Sequence, residues 1–413
     1  MPQILLIRKM KDLVYFKREL YIERIRPFIN TQMIKVIVGQ RRVGKSYLLY
    51  QLMDEIRMTY PQSDILYINK ELFEFDGIKN HVDLITYIRE KRENTSEKCF
   101  LFIDEIKDIE AFEKALRSFF AEGGYDIYCT GSNANLLSGE LATYLSGRYI
   151  EFKVYALSYT EFLQFHRLTD SDETFVKYYK FGGLPYLINL PFEESLVSEY
   201  LKNIYNTIIL KDIVDRYNIR QTRYLSDLAK YLAATVGNLF SANRISEYLK
   251  SQRIDMLPKT ILEYLNYLSN AFLVQRITPA DLQGKQILRI GEKYYFEDLG
   301  IRHAILPFRA NDIGRVLENV VCHHLLLCGY SLFIGKNEGK EIDFIAEKNG
   351  ERVYIQVATV LTEEQTRERE FGNLLAIKDN YPKMVVTLDN TVGCSFQGII
   401  QIPVRKFLME FKN

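Results

Sequence analysis

The chain has 413 residues, 54 Lys+Arg against 53 Asp+Glu, and a formal net charge of +1. At roughly 100–200 residues per domain, this length predicts two to four domains, each with its own core. A hydrophobic content of 47% and a charged content of 26% exclude a wholly disordered or fibrous chain. No apolar run approaches the roughly 18 residues of a membrane span, so no membrane partner is expected. The opening Met1-Pro2-Gln3-Ile4-Leu5-Leu6-Ile7-Arg8 is too short an apolar stretch for a signal peptide and lacks a small-residue cleavage site. The cysteines (Cys99, Cys129, Cys322, Cys328, Cys394) form no Cys-x-x-Cys pair, which predicts a reduced, cytoplasmic protein without disulfides or a zinc site. The charge is segregated. Residues 216–293 carry 12 Lys/Arg and 6 Asp/Glu, which gives +6 there and leaves −5 for the rest.

In chain order, short β-rich runs alternate with helical stretches from residue 34 to about 154: Ile34–Val38, Ile65–Ile68, Cys99–Ile103, Ile127–Cys129 and Tyr149–Val154. That alternation predicts a parallel sheet covered by helices. From about 156 to 222 the pattern is helical, with Gly182-Gly183-Leu184-Pro185 as a break. Between 225 and 268 three short amphipathic segments follow. Leu225, Leu228, Ala229 and Leu232 lie on one helix face, Ser241 caps a second helix, and Pro258 opens a third. Leu273–Ile277 and Gln286–Ile290 then flank a Gln283-Gly284-Lys285 turn. Three helices and a hairpin are the layout of a winged helix-turn-helix. From about 306 the chain predicts helix (Asp312–Cys328), three strands with an Asn349-Gly350 turn, helix (Thr362–Lys378) and strand (Met384–Leu388).

The chemistry is concentrated in Gly39-Gln40-Arg41-Arg42-Val43-Gly44-Lys45-Ser46, which follows an apolar strand and opens a helical stretch with Leu48, Leu49, Leu52 and Ile56 on one side; these eight residues and Tyr47 are the candidate nucleotide-binding set. Its glycines let backbone N–H groups wrap a phosphate, and the helix N-terminus adds positive potential. Lys45 is expected to reach the β- and γ-phosphates of ATP, and the Ser46 hydroxyl to bind Mg²⁺. Cys99–Glu105 supplies a buried strand ending in two carboxylates. Asp104 is placed near the Mg²⁺ shell and Glu105 as the group that polarises attacking water. A third strand ends in Thr130-Gly131-Ser132-Asn133, where Asn133 or Ser132 can hydrogen-bond the water or γ-phosphate. Arg148 is a candidate arginine finger, in cis or across a subunit interface of a homo-oligomer, with a structural ion pair as the alternative.

Gly39–Ser46, Phe102-Ile103-Asp104-Glu105-Ile106, Thr130–Asn133, Leu145-Ser146-Gly147-Arg148-Tyr149, Leu157–Phe162 and Phe181-Gly182-Gly183-Leu184-Pro185 together resemble the prokaryotic AAA-type ATPases with a C-terminal domain of unknown function. The resemblance spans nearly the whole chain and is most specific in the ATPase motifs. It implies an α/β chain in four parts: an AAA-type P-loop domain (1–155), a helical lid (156–222), a winged helix-turn-helix (223–305) and a domain similar to the PD-(D/E)xK nuclease core (306–413).

An active site of that nuclease type needs a helix Glu, a strand Asp and then Glu-x-Lys. Glu318 and Asp343 fit the first two, but Gln356 and Ala358 stand in the last two places. A neutral amide binds Mg²⁺ more weakly and alanine does no chemistry, so an inactive nuclease-like domain is expected. Pairing of Glu318 and Asp343 with a nearby Lys or Arg is favoured over metal ligation, and His323-His324 is read as structural. In the winged helix, Lys259, Thr260, Glu263, Tyr264 and Tyr267 are expected to face outward, with Lys285 and Arg289 in the wing, toward double-stranded DNA. The sequence thus predicts a Mg²⁺-dependent ATPase whose nucleotide state governs engagement of DNA or a protein. The rivals are a slow nucleotide switch recruiting a protein, and an ATP-dependent nuclease.

Overall fold

A computed structural model describes residues 15–92, 98–134, 145, 147–281, 286–287, 291–337, 340–359, 364–389 and 395–411. The chain divides into two compact units, Met1–Tyr155 and Ala156–Asn413.

The first unit follows the alternation in the sequence. After α1 (Glu19–Ile25) come β1 (Ile34–Val38), α2 (Lys45–Thr59), β2 (Asp64–Asn69), α3 (His81–Lys91), β3 (Cys99–Asp104), α4 (Phe112–Glu122), β4 (Tyr125–Gly131) and β5 (Tyr149–Lys153). The strands form one parallel sheet in the order β2-β3-β4-β1-β5. Strands β1, β3 and β4 are buried at every residue, as a parallel sheet covered on both faces requires. Because β4 lies between β1 and β3, the C-terminal ends of all three open onto the same edge of the sheet. At the opposite edge, Lys35 and Asp126 form a fully buried ion pair beneath Tyr128.

The second unit begins with α5 (Tyr159–His166), α6 (Asp172–Phe181) and α7 (Glu194–Thr207), and continues through α8 (Thr222–Ala234), α9 (Ala242–Ser251) and α10 (Pro258–Asn270). Ser158, Ser171 and Ser241 cap α5, α6 and α9 by accepting backbone N–H bonds in the first turn. The break after α6 has a definite cause. Gly182 and Gly183 wrap the carboxylate of Asp298, which accepts from the Gly183 N–H at 2.7 Å and the Ile301 N–H at 2.9 Å. A Cβ on Gly182 would lie 2.4 Å from that carboxylate, so no larger residue fits.

Next come β6 (Val274–Asp281), β7 (Gln286–Ile287), β8 (Lys293–Phe296), α11 (Leu299–Ile305), α12 (Ile313–Leu327), β9 (Ser331–Asn337), β10 (Lys340–Lys348) and β11 (Glu351–Ala358). The chain closes with α13 (Glu364–Leu375), β12 (Lys383–Thr387), β13 (Ser395–Phe396), β14 (Ile399–Pro403) and α14 (Val404–Glu410). Strands β9, β10 and β11 are antiparallel, with Asn349 and Gly350 both at positive φ in the β10–β11 turn. Strands β12 and β14 add in parallel. The expected hairpin of Leu273–Ile277 with Gln286–Ile290 is corrected: Val274–Ile277 pairs with Lys293–Phe296, and only Ala280 and Asp281, farther along the same strand, meet Ile287 and Gln286. Strand β6 pairs antiparallel with β7 and β8 and also parallel with β9. The expected Gln283-Gly284-Lys285 turn and Arg289 lie outside the described residues.

Candidate nucleotide site

The loop between β1 and α2 is built around two glycines. Gly39 sits so close to the β5 end that an added Cβ would come within 2.2 Å of the Val154 carbonyl. Gly44 is left-handed, at φ +94°. The Lys45 ammonium donates to the carbonyls of Gly39 (3.0 Å) and Gln40 (3.1 Å) and lies 4.0 Å from Glu105. Burial pushes its pKa down, opposed by the charges of Glu105 and Asp104. Lys45 and Val43 are buried, Ser46 and Arg41 are half-buried, and Arg42 and Tyr47 are exposed.

Behind this loop stands Arg18, a residue the sequence pattern did not single out. It is buried, donates to the carbonyls of Val43 (3.1 Å) and Tyr155 (2.9 Å), and lies over the Tyr21 ring. It ties the phosphate loop to the chain segment that follows β5. No local motif marks it, because its partners lie 25 and 137 residues away.

The carboxylates arrive as the sequence places them. Asp104 ends β3 at 2% exposure, and burial pushes its pKa up against hydrogen bonds from Ser46 and Thr130. The Tyr67 hydroxyl also donates to it, at 3.2 Å. Glu105 has left the strand for the left-handed region, φ +53° and ψ +51°. That conformation costs a non-glycine residue about 1–3 kcal/mol and persists only where its surroundings hold it. Thr130 is the holder. Its hydroxyl donates to Asp104 at 2.5 Å and accepts the Glu105 N–H at 2.9 Å. On the far side of the glutamate, the Lys107 ammonium lies 3.5 Å from the carboxylate and donates to the Ser132 hydroxyl at 2.6 Å. Asn133 and Ser132 are both buried at the end of β4. Thr130 stands in the strand-end motif and Lys107 was not singled out from the sequence; the roles of both depend on a strand pairing that sequence alone does not supply.

The donor set of Ser46 hydroxyl and Asp104 carboxylate is all oxygen and suits a hard cation such as Mg²⁺. Burial raises the cost of the Asp104 charge, and a bound cation would relieve it.

Arg148 does not join this cluster. It precedes β5 at the N-terminal edge of the sheet, where its carbonyl accepts the Ile34 N–H and its guanidinium lies 5.4 Å from the Phe120 ring centre. The phosphate loop follows Val38, a strand length of about 15 Å away.

The second unit corrects two outward-facing expectations. Tyr264 is buried against the helical core, and Tyr267 is stacked on Tyr217 with ring centres 3.8 Å apart. Lys259, Leu262, Glu263 and Asn266 form the exposed face of α10, while Thr260 is half-buried. The reason is helical phase: Ile261, Leu265 and Leu268 fix the inward stripe, and Tyr264 falls on it. The His324 Nε2–H donates a hydrogen bond to the Phe411 carbonyl, 2.7 Å away. Ala358 packs with Ile342, Tyr354 and Phe371 in an apolar cluster.

Residues 31–163 match the family of AAA domains, and residues 172–312 match a domain of unknown function, DUF8612. An uncharacterized protein of Haemophilus influenzae is 40% identical over 399 residues, covering 95% of this chain and 98% of that one. The uncharacterized protein MJ1544 of Methanocaldococcus jannaschii is 32% identical over 366 residues, covering 84% and 79%. Among solved structures, AMPPCP-bound DnaA from Aquifex aeolicus is 14% identical, covers 63% of this chain and 90% of that chain, and gives a TM-score of 0.32.

Proposed function

This chain belongs to the same family as its uncharacterized Haemophilus influenzae relative and matches an AAA domain over residues 31–163, and we propose that it is a cytoplasmic, Mg²⁺-dependent ATPase whose nucleotide state governs engagement of a partner. The observation that carries the reading is the convergence of Lys45, Ser46, Asp104 and Glu105 on one edge of the parallel sheet, with Thr130 bridging the two carboxylates.

In this reading the Gly39–Ser46 backbone and the following helix N-terminus cradle the phosphates of ATP. Lys45 exchanges its two loop carbonyls for phosphate oxygens. Ser46 and Asp104 would hold the cation, which would supply neutralisation of charge on the phosphates. Glu105 orients a water for in-line attack on the γ-phosphate, and Ser132 or Asn133 fixes the other side of that water. Arg148, remote from the loop of its own chain, acts in trans within a homo-oligomer.

Residues 223–305 are read as a winged helix, supported by α8–α10 and the β6–β8 hairpin. Residues 306–413 are read as a nuclease-like core, supported by the order helix, three antiparallel strands, helix and parallel strand. The partner is double-stranded DNA or a protein. The segregated positive charge favours DNA. A protein partner is favoured by the loss of both tyrosines from the reading face and by the exposure of Leu257 (67%) and Leu262 (48%) beside Glu263.

The experiment is ATP hydrolysis with Mg²⁺, with and without duplex DNA, across a salt series. Hydrolysis that Lys45→Ala abolishes supports the ATPase, and its persistence in that variant refutes the site. Stimulation by DNA that fades with salt assigns DNA as the partner, and indifference to DNA assigns a protein.

A further inference from the structure

One buried cation in the second unit has no part in the nucleotide chemistry. Lys293 lies on β8 with its side chain 3% exposed, and three carboxylates from two other elements converge on its ammonium. Glu318 of α12 and Glu341 of β10 each lie at 2.7 Å, and Asp343 of β10 at 3.6 Å. The outer contacts are also built. The Tyr295 hydroxyl donates to Glu318 at 2.5 Å, the Val357 N–H to Asp343 at 2.9 Å, and the Asp343 N–H to the Gln356 side chain at 3.3 Å. Gly237 presses against Glu318, where an added Cβ would lie 3.0 Å from its oxygen.

Burying a charge is expensive unless it is paired, and burying several carboxylates together is more so. Glu318 and Asp343, 14% and 10% exposed, need a cation between them, Glu341 adds a third, one-third-exposed carboxylate at the rim, and a divalent metal is the usual solution for such an oxygen set. Here the place is taken by a covalently attached ammonium. Among the described residues, no three His, Cys, Asp or Glu side chains are arranged to hold a metal ion. The lysine comes from a different strand than the one carrying Ala358, so its relation to the carboxylates is visible only in the folded chain.

We propose that Lys293 is a built-in cation standing where a divalent metal would otherwise bind between Glu318, Glu341 and Asp343. The site is thereby closed to metal, and β8 is locked onto α12 and β10. The lock is metal-independent: chelators leave it intact, and the carboxylates become a metal site only when the ammonium is removed.

The test titrates Mn²⁺ alone into the full-length, nucleotide-free protein, read by calorimetry and by thermal unfolding. Wild type is expected to show no site that depends on Glu318 and Asp343. Lys293→Met, which keeps the side-chain length and removes the charge, is expected to bind one Mn²⁺ per chain at least 10-fold more tightly than wild type. Its melting temperature should rise with the metal, and both effects should vanish in Lys293→Met/Asp343→Asn. A folded Lys293→Met without Mn²⁺ affinity overturns the proposal. So does a tight Mn²⁺ site in wild type that Glu318→Gln/Asp343→Asn removes, an arm that decides even where Lys293→Met fails to fold.

Discussion

Thr130→Val is the substitution that isolates the geometry of the nucleotide site from its composition. Valine matches threonine in shape, so β4 and the sheet keep their packing, and none of the residues assigned to the phosphates, the cation or the water is touched. Two bonds are lost. The hydroxyl that donates to Asp104 at 2.5 Å disappears, as does the acceptor of the Glu105 N–H at 2.9 Å. A bond to a charged group contributes about 1.5–3 kcal/mol, and a buried donor left without an acceptor costs about 1–3 kcal/mol. The left-handed Glu105, at φ +53°, then carries a strain of about 1–3 kcal/mol without the Thr130 hydroxyl that anchors its N–H. Relaxation of that residue moves its carboxylate off the water it should orient. If about 3 kcal/mol of this reaches the transition state, kcat falls by about 100-fold. Lys45 and the loop are unchanged, so ATP affinity should stay within a few-fold. The assay pairs steady-state kcat and KM with direct nucleotide binding, and Thr130→Ser, which restores the hydroxyl, should recover most of the rate. A kcat within about threefold of wild type, or a loss of affinity equal to the loss of rate, would refute the reasoning.

Glu105→Gln should bind ATP with unchanged affinity yet lose turnover by at least about 100-fold in single-turnover assays, because only the acceptor of the water's proton is removed. Arg148→Ala should lower hydrolysis in a way that mixing with Glu105→Gln subunits partly restores, since each variant supplies what the other lacks; independent activities on mixing would remove Arg148 from the site. Burial pushes the Asp298 carboxyl up to about 6 from its ordinary 3.8. The folded state therefore holds that proton more tightly than the unfolded state does. The contribution of Asp298 to stability is fully present below about pH 4 and is lost as pH rises toward 6, by about 3 kcal/mol. Denaturant titrations of wild type and Asp298→Asn from pH 4 to 7 should show a stability difference that changes over that window, and a constant difference would contradict it.

The sequence determined the parts whose signals are local. Five apolar runs fixed the strands of the first sheet, and Gly39–Ser46 between a strand and a helix fixed the phosphate loop. Asp104 and Glu105 were legible because a buried run ending in two carboxylates has few alternatives downstream of such a loop. Asn349-Gly350 gave the β10–β11 turn, because both residues accept positive φ. The tertiary structure decided everything that depends on which strand lies beside which. Thr130 bridges Asp104 and Glu105 because β4 neighbours β3. Arg18 braces a loop far along the chain, and Gly182-Gly183 exists to enclose Asp298. Lys293 answers to Glu318, Glu341 and Asp343 across three elements, and the phase of α10 turned Tyr264 inward. A residue type at a spacing records what a segment can form by itself, whereas a buried charge records its partner, and partners are chosen only when the chain has closed on itself.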